Sequence, residues 1–509
     1  MMPQRAPRPD DSFRPAPAPA SPSRRRFLGG GVALGLLAAG VRPVRALQGP
    51  NVTDTAWREL EQRLAGGLLR PGDAGFADMA RPANLIYADV QPAAIARCTR
   101  AEDVAAAITW CRNEGLPFVV RGGGHNYAGY STTPGLMIDT GGMKGISYDA
   151  ATGRLVAQAG VRNGDVHAAL SILGRSVVHG RCATVGLAGF LLGGGIGFDM
   201  RSHGVGSDLM TSTRMVDATG QLRSLNEREN GDLFWACRGG AGGNFGIHTE
   251  FELATFPVER CTAFDLIWTA RAEEVAQVLI PALEKAPDGL GVKVAIVASP
   301  TDAQAPAHLT LLGQWIGERD TLMDILGPAL KVAAPAKASI ATLPYWDGQT
   351  MLTEFAQYES FRERSRFASA SFGGRPLEIA FRLVRQFPGQ HGSGNLKLFQ
   401  CGGAMNKVPA DRSAFVHRNS LWLIAAAAYW EEKETSARVA RTQDWLDELY
   451  ETLLPFCGEG AFQNFPDPRL VDAPRHYYGA NLERLRRIKG RIDPDELFRY
   501  PQSIRPLAT

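Results

Sequence analysis

The stretch that decides the fold reads Pro117-Phe118-Val119-Val120-Arg121-Gly122-Gly123-Gly124-His125-Asn126. Its apolar beginning, from Pro117 to Val120, predicts a short buried strand. The strand leads directly into a glycine loop, where successive backbone N–H groups can form a concave donor surface that no side chain obstructs. Such a surface suits a pyrophosphate group. The stretch therefore predicts a strand that delivers an anion-binding loop, with His125 at the mouth of the loop.

Two further glycine-rich blocks follow in the same part of the chain. One spans residues 186–206 and is preceded by Cys182, and the other spans residues 238–246. None of the three blocks is a Rossmann fingerprint, because no GxGxxG opens a helix with an acidic residue about twenty positions further on. A lone glycine run is more often a turn than a cofactor loop. Three runs in one domain, one ending in His125 and one preceded by Cys182, favour a cofactor site instead.

Helical and strand patterns alternate around these blocks and predict an α+β fold. Apolar spacing predicts helices over residues 51–69, 101–113 and 163–173. Residues 135–139 and 154–160 read as strands.

The pattern changes near residue 260 and again near residue 460. Between these points the glycine clusters vanish, and apolar runs over residues 309–316 and 421–430 predict a separate sheet. The last part contains an exposed turn rich in tyrosine around Tyr477 and then a basic helix over residues 482–489. At 509 residues, the chain has room for two or three domains.

The composition argues against several function classes. The net charge of +3 is small for 509 residues, so we expect no nucleic-acid partner, and no long apolar run after the N-terminal region predicts a membrane span. Seven cysteines without a CxxC pair or a nearby histidine cluster argue against a metal site. Because their number is odd, at least one sulfur cannot be part of a disulfide within the chain. Cys182 is the candidate for a different role. The absence of a GxSxG motif argues against a Ser/His hydrolase.

The N-terminal region reads as a targeting segment. Ser23-Arg24-Arg25-Arg26-Phe27-Leu28 precedes a short apolar, glycine-rich run, and a small-residue site ends at Ala46. This order is that of a twin-arginine signal peptide over residues 1–46, and the alternative is a basic disordered tail. The signal predicts export by the twin-arginine machinery, to the periplasm or the extracellular space.

The glycine blocks together carry a family resemblance. The segments 121–129, 180–189, 193–197 and 204–208 resemble the FAD domain of the vanillyl-alcohol oxidase superfamily, in particular its berberine bridge enzyme-like branch. The ending Tyr477-Tyr478-Gly479-Ala480-Asn481, with Asp493-Pro494 after it, is similar to the ending of that branch.

The resemblance implies a domain order. Residues 47–260 would form a two-subdomain FAD-binding domain of the PCMH type. Residues 261–457 would form a substrate domain with an antiparallel sheet backed by helices. Residues 458–509 would return to complete the FAD domain.

The resemblance also implies that FAD is held by two covalent bonds. His125 would bond the flavin 8α-methyl group, and Cys182 would bond ring carbon 6. An imidazole nitrogen and a thiolate are nucleophiles that can add to an electrophilic flavin. The alternatives are a loop histidine that hydrogen-bonds a phosphate and an ordinary buried thiol. The complete set of expected FAD-binding residues is His125, Cys182, Arg121, Gly122, Gly123, Gly124, Asn126, Gly129, Val185, Gly186, Gly189, Gly193, Gly194, Gly195, Gly197, Asp208, Gly246, Ile247 and Asn481.

The implied reaction is hydride transfer from an alcohol, a sugar or a secondary metabolite to flavin N5, with reoxidation by O2 to give H2O2. Such a reaction needs a base for the substrate proton. The resemblance assigns this role to Tyr477, with Tyr478 beside it. His203 stands where the family has a second tyrosine, and it could be a base, a modulator of Tyr477 or a wall residue. Ala425 replaces a glutamine or glutamate that many relatives carry on a strand of the substrate domain.

Several alternatives remain open in the sequence. The same fold supports dehydrogenases that use an acceptor other than oxygen, and the alanine strand offers mild support for a noncatalytic flavin-binding protein. The substrate could be a sugar or an aromatic, alkaloid-like metabolite. Trp346, Trp422 and Trp430 could stack on either kind of substrate or belong to the core.

Overall fold

The computed structural model describes residues 52–298, 307–354, 358–389 and 392–507. The signal peptide predicted for residues 1–46 lies outside the described residues. Among the residues that are described, no helix combines the length and the apolarity needed to cross a membrane.

A small sheet carries the first glycine loop. It consists of β1 (Leu68–Leu69), β2 (Ala94–Arg97), β3 (Phe118–Arg121) and β4 (Leu136–Asp139). Its order is β1-β2-β4-β3, and β4 runs parallel to both β2 and β3. The helices of this part are α1 (Asp54–Arg63), α2 (Phe76–Ala80) and α3 (Ala101–Glu114). Apolar side chains of α1 and α3 pack with those of β2 and β4 in one core, which fixes the end of β3 from which the loop departs.

A second sheet carries the middle of the chain. It is antiparallel, with the order β5-β6-β10-β8-β9. The elements here are β5 (Ile146–Asp149), β6 (Arg154–Gln158), α4 (Asn163–Ser171), β7 (Arg175–Ser176), α5 (Leu187–Leu192), α6 (Met200–His203), β8 (Met210–Val216), β9 (Leu222–Leu225), α7 (Gly231–Cys237), β10 (Ile247–Ala254) and β11 (Phe256–Pro257). The short strands β7 and β11 pair with each other.

A third sheet of seven antiparallel strands follows, in the order β15-β12-β14-β13-β17-β18-β16. Its strands are β12 (Arg260–Trp268), β13 (Leu290–Val297), β14 (His308–Trp315), β15 (Lys337–Pro344), β16 (Ser360–Ala368), β17 (Ser393–Gln400) and β18 (Trp422–Trp430). The helices of this part are α8 (Ala272–Glu284), α9 (Arg319–Val332), α10 (Tyr345–Leu352), α11 (Arg375–Val384), α12 (Ala404–Lys407) and α13 (Ser436–Leu453).

Alternation along the strands of this sheet separates an apolar face from a polar one. On β17, Leu396 and Leu398 join the core formed with α8, α9, α11 and α13. Because successive side chains of a strand point to opposite faces, Asn395 and Lys397 lie on the other face of the sheet.

The C-terminal segment returns to the third glycine block. It contains α14 (Ala473–Tyr478) and α15 (Leu482–Ile492). The Lys489 Nζ atom is buried, lies 2.7 Å from Asp493 Oδ2 and donates at 2.7 Å to the carbonyl of Asn244. Tyr500 donates its hydroxyl to the carbonyl of Gly242 at 2.6 Å. These contacts attach the last part of the chain to residues 242–244.

The α+β prediction is confirmed, and two local predictions were wrong. The helix expected over residues 51–69 ends at Arg63, because Gly66 and Gly67 turn the chain so that Leu68 pairs with Ala96. A Cβ atom on Gly66 would lie 2.0 Å from the Arg97 carbonyl oxygen, and Gly67 has φ +81°. The tyrosine-rich segment, expected as an exposed turn, is the buried end of helix α14.

Candidate active site

A cavity of about 1040 Å³ lies between the glycine loop, the segment 180–198 and the polar face of the seven-stranded sheet. Strands β13, β17 and β18 each contribute side chains to its wall. We call the first side the loop wall, comprising residues 122–126, 182–189 and 241–248. We call the second side the sheet wall, comprising the cavity-facing residues of strands β13, β16, β17 and β18.

The loop wall presents free backbone donors. The N–H groups of residues 122–126 donate no hydrogen bond to any other residue that the structure describes. Arg121, which directly precedes the loop, anchors it to neighbouring segments. Its buried guanidinium donates to the carbonyl oxygens of Ser131 at 3.1 Å and Arg81 at 3.3 Å. Because residues 122–126 all line the cavity, their unpaired N–H groups are available to a pyrophosphate, which successive backbone donors of a glycine loop can bind.

Glycine is needed where the two loops of this wall meet. A Cβ atom on Gly123 would lie 2.2 Å from the backbone nitrogen of Gly186, and one on Gly186 would lie 2.5 Å from the nitrogen of Gly123. Gly124 also has φ +75°, a conformation that other residues rarely adopt. The contact between the loops therefore depends on the absence of side chains at residues 123 and 186.

The two nucleophiles of the loop wall share one hydroxyl partner. The Thr184 Oγ1 atom lies 2.9 Å from His125 Nε2 and 3.4 Å from Cys182 Sγ. Burial, assisted by the positive charge of Arg162, lowers the pKa of His125 to about 4. The imidazole of His125 is therefore neutral at physiological pH and retains a nucleophilic lone pair, close to the Cys182 sulfur.

An ion cluster holds the backbone of Cys182 in place. The Glu354 N–H donates to the carbonyl of Arg181 at 3.2 Å, and the Glu354 Oε1 atom lies 2.5 Å from Arg181 Nη2 and 2.8 Å from Lys293 Nζ. Burial opposes ionisation of Glu354, but Lys293 and Arg181 hold its pKa well below the ordinary value. Burial and the charge of Arg181 lower the pKa of Lys293 to about 8.

The sheet wall carries a second ion pair. The Lys397 Nζ atom lies 2.8 Å from Glu363 Oε2 and donates to the Tyr429 hydroxyl at 2.8 Å. Burial opposes the charge of Lys397, but the Glu363 carboxylate keeps its pKa well above the ordinary value. Burial raises the pKa of Tyr429 to about 12, although Lys397 acts in the other direction. Lys397 is thus a permanent cation and Tyr429 a neutral phenol.

Aromatic rings connect the two walls. Tyr127, which follows the glycine loop, stacks on Phe465 at 4.9 Å between ring centroids and meets the edge of Phe361 at 4.9 Å. Phe361 in turn lies 5.4 Å from Tyr429. The sequence did not predict a place on the cavity wall for Tyr127, Phe361 and Tyr429, or for the ion-paired Lys293 and Lys397. The alternation of polar and apolar residues over 393–398 is the sequence signal that could have indicated a polar strand face.

Most of the expected FAD-binding residues line the cavity. Those on its wall are Gly122, Gly123, Gly124, His125, Asn126, Cys182, Val185, Gly186, Gly189, Gly197, Gly246 and Ile247. Those that the structure places off the wall are Arg121, Gly129, Gly193, Gly194, Gly195, Asp208 and Asn481. Besides Arg121, two of the latter make structural contacts: Asp208 pairs with Arg418 at 2.7 Å, and Asn481 donates to the carbonyl of Ala410 at 2.8 Å.

The structure does not bring the three expected catalytic residues to the cavity wall. The Tyr477 hydroxyl accepts the N–H of Asp467 at 2.9 Å, and the Tyr478 hydroxyl donates to the carbonyl of Gly240 at 3.1 Å. His203 stacks on Phe256 at 3.6 Å between ring centroids. All three side chains are engaged away from the cavity, and their catalytic roles remain predictions.

The residues expected around the substrate divide between wall and core. Trp430 lines the cavity, whereas Trp422 is fully buried in the core behind the sheet. Trp346 is also buried, and its indole N–H donates to the carbonyl of Arg175 at 2.9 Å. Ala425 is fully buried on β18, paired with Lys397 on one side and Ser365 on the other.

Two family models match the chain, one described as an FAD binding domain over residues 92–226 and one as berberine and berberine like over residues 461–505. The FAD-linked oxidoreductase YvdP of Bacillus subtilis is 30% identical over 462 residues, which cover 87% of this chain and 99% of that protein. The glucooligosaccharide oxidase of Sarocladium strictum is 30% identical over 479 residues, covering 85% and 91%.

Solved structures show the same fold. Berberine bridge enzyme-like protein 1 of Physcomitrella patens superposes with a TM-score of 0.79 at 25% identity, covering 89% of this chain and 99% of that one. A xylooligosaccharide oxidase from Myceliophthora thermophila, in complex with xylobiose, gives a TM-score of 0.78 at 26% identity, covering 89% and 100%. The backbone donors of the loop wall fit the FAD that the matching domain binds. The chain belongs to the berberine bridge enzyme-like family of FAD-linked oxidoreductases.

Proposed function

We propose that this protein is an oxidase that holds FAD through two covalent bonds, at His125 and Cys182, and oxidises an alcohol carbon of a carbohydrate. The observation that carries the proposal is the Thr184 hydroxyl, which lies within hydrogen-bond distance of both nucleophiles on the cavity wall. When bound, FAD supplies the hydride acceptor and returns its electrons to O2, which gives H2O2. Residues 47–260 and 458–509 would bind FAD, and residues 261–457 would present the substrate.

The state of the two nucleophiles supports this proposal. A neutral imidazole can form a bond to carbon, and the pKa of about 4 keeps His125 neutral throughout the physiological range. The Asn163 side chain donates to the carbonyl of Cys182 at 3.1 Å, and Glu354 holds the preceding residue, so the Cys182 backbone is fixed from both sides. Both groups are therefore held in place for one ring system.

The size and chemistry of the cavity support a carbohydrate substrate. Its volume of about 1040 Å³ is slightly above the usual range for ligand sites, roughly 300–1,000 Å³, as expected of a cavity that a dinucleotide and a substrate share. Its wall offers amides and charged side chains, including Asn395, Asn464 and Lys397. Relatives named carbohydrate oxidase and chitooligosaccharide oxidase match more than 80% of the chain. Export by a twin-arginine signal over residues 1–46 is part of the same proposal.

Acid precipitation of the purified protein tests the covalent bonds. We expect yellow colour to stay with the denatured pellet in wild type, in His125→Ala and in Cys182→Ala, and to be lost in the double variant. Cys237→Ala is the matched control, because this cysteine is buried in α7 and lies off the cavity. Colour that leaves the wild-type pellet would refute covalent attachment. Colour that stays with the double variant would refute these two residues as the points of attachment.

Peroxide release tests the acceptor and the substrate class. We expect H2O2 in proportion to oligosaccharide consumed under air, and bleaching of the flavin absorbance when oxygen is removed. A different result would identify a dehydrogenase. In that case an oligosaccharide would reduce the flavin, peroxide would form only in trace amounts, and an artificial dye would restore turnover.

A further inference from the structure

The ion pair between Lys397 and Glu363 spans a strand. Lys397 is on β17 and Glu363 is on β16, and β18 runs between them. Neighbouring strands are roughly 4.8 Å apart, so these two strands are separated by about 10 Å. The residues of β18 beneath the bridge are Ala425, opposite Lys397, and Ala427, opposite Glu363. Methyl side chains leave the space above β18 open, and this is why the 2.8 Å contact can form.

Lys397 has one N–H left for a ligand. An ammonium group carries three N–H donors and no acceptor. Among the residues that the structure describes, Lys397 donates to the Glu363 carboxylate and to the Tyr429 hydroxyl, which uses two of the three. The side chain of Glu363 is 1% exposed and that of Lys397 is 14% exposed, and Lys397 lines the cavity. The carboxylate therefore fixes the ammonium group from behind while the ammonium borders the cavity.

An unsatisfied acceptor lies two residues away on the same strand face. The Asn395 Oδ1 atom is buried and has no hydrogen-bond partner among the described residues. Because residues i and i+2 of a strand share one face, Asn395 and Lys397 both point to the cavity side of the sheet. The sheet wall thus offers one charged donor and one neutral acceptor on the same strand face, both bordering the cavity.

We propose that Lys397 is a specificity-determining residue that donates a hydrogen bond to an oxygen of the substrate. Asn395 accepts a hydrogen bond from a second hydroxyl group. This inference rests on the proposed oxidase function and narrows its substrate class. A hydroxyl or carbonyl oxygen satisfies the free N–H of Lys397, whereas a protonated amine has no lone pair to offer and meets a like charge. At the position of Lys397, the wall therefore favours a neutral hydroxyl or carbonyl oxygen over a protonated amine.

The test removes both charges of the pair together. Lys397→Met alone would leave Glu363 buried without a counter-charge and could prevent folding. The double variant Lys397→Met/Glu363→Gln avoids that problem. Lys337→Met is the matched control, because Lys337 forms an exposed ion pair with Asp265 on the same sheet, off the cavity. Each protein is isolated with its flavin, and KM and kcat are measured with a neutral oligosaccharide.

We expect the double variant to bind flavin as wild type does and to raise KM on the order of tenfold or more, with kcat changed far less, because a charged hydrogen bond to the substrate is lost. The Lys337 control should match wild type. Tyr429→Phe, which keeps the ion pair, should raise KM less than the double variant does. A KM within twofold of wild type in the double variant would overturn the inference, and so would an equal effect of Tyr429→Phe. If no oligosaccharide bleaches the wild-type flavin, the proposed function fails, and this inference fails with it.

Discussion

The two walls of the cavity are built on different principles. The loop wall consists largely of backbone, and its key contact joins Gly123 and Gly186 because neither has a side chain. The sheet wall consists of side chains, and its key contact joins Lys397 and Glu363 across an intervening strand. The loop wall is therefore fixed by the absence of bulk, and the sheet wall by paired charges. A change in size should break the first wall, and a change in charge should break the second.

Gly123→Ala should have the largest effect on the loop wall. The new Cβ atom would lie 2.2 Å from the backbone nitrogen of Gly186, and because backbone cannot move aside as a flexible side chain can, the two loops must separate. We expect flavin incorporation to be largely lost and the free energy of unfolding to fall by about 1–3 kcal/mol. The ratio of flavin to protein absorbance and urea unfolding measure the two effects.

Gly327→Ala is the control for this substitution. Gly327 lies in helix α9, and a Cβ atom there would meet nothing within 4 Å. This variant should keep its flavin and be slightly more stable than wild type, since alanine favours a helix over glycine by about 0.5–1 kcal/mol. Full flavin content in Gly123→Ala would show that the loops tolerate separation and that the close contact is not required.

The contrast between the walls explains what could be predicted from the sequence. The loop from Gly122 to Asn126 is continuous in the chain and directly follows a strand, so its position and its donors were predictable. The sheet wall was not, because residues 363, 397 and 429 come together only through the order of strands in the sheet. Ala425 looked like a missing functional group, whereas it lies beneath the bridge that Lys397 makes.

The burial of Tyr477 and Tyr478 could not be predicted from the sequence, for a related reason. Their local sequence resembles a turn, but Ala414 packs in one core with both rings, and the Tyr478 hydroxyl donates to the carbonyl of Gly240, which is 238 positions earlier in the chain. Propensity acts over a few residues, whereas burial depends on elements that lie far away in the sequence.

Acid should weaken the loop wall through its two histidines. His248 lines the cavity on β10, and burial lowers its pKa to about 3, while the pKa of His125 is about 4. A histidine in the unfolded chain has a pKa near 6.5. Below that pH, these histidines bind protons in the unfolded chain but not in the folded one. Stability is therefore fully present above pH 6.5 and is lost as the pH falls towards 4, by about 1.4 kcal/mol per histidine for each pH unit.

His248→Gln should make this dependence shallower. We expect the loss of unfolding free energy between pH 6.5 and 5 to be smaller by about 2 kcal/mol than in wild type, since one fewer buried histidine titrates. His476→Gln is the control, because this side chain is not deeply buried and lies off the cavity. Urea unfolding at several pH values measures the slopes. Equal slopes in wild type and His248→Gln would mean that another group dominates acid sensitivity.

Tyr477→Phe should have the smallest effect, because Tyr477 belongs to neither wall. Its hydroxyl accepts the N–H of Asp467 at 2.9 Å, and burial raises its pKa, which disfavours the phenolate that a base would need. We expect the free energy of unfolding to fall by about 1 kcal/mol and kcat/KM to stay within twofold of wild type. A hundredfold loss of kcat with full flavin content would instead restore the catalytic role that the sequence resemblance assigns to Tyr477. In that case α14 would have to rearrange when substrate binds, and the division of the site into two walls would need a third element.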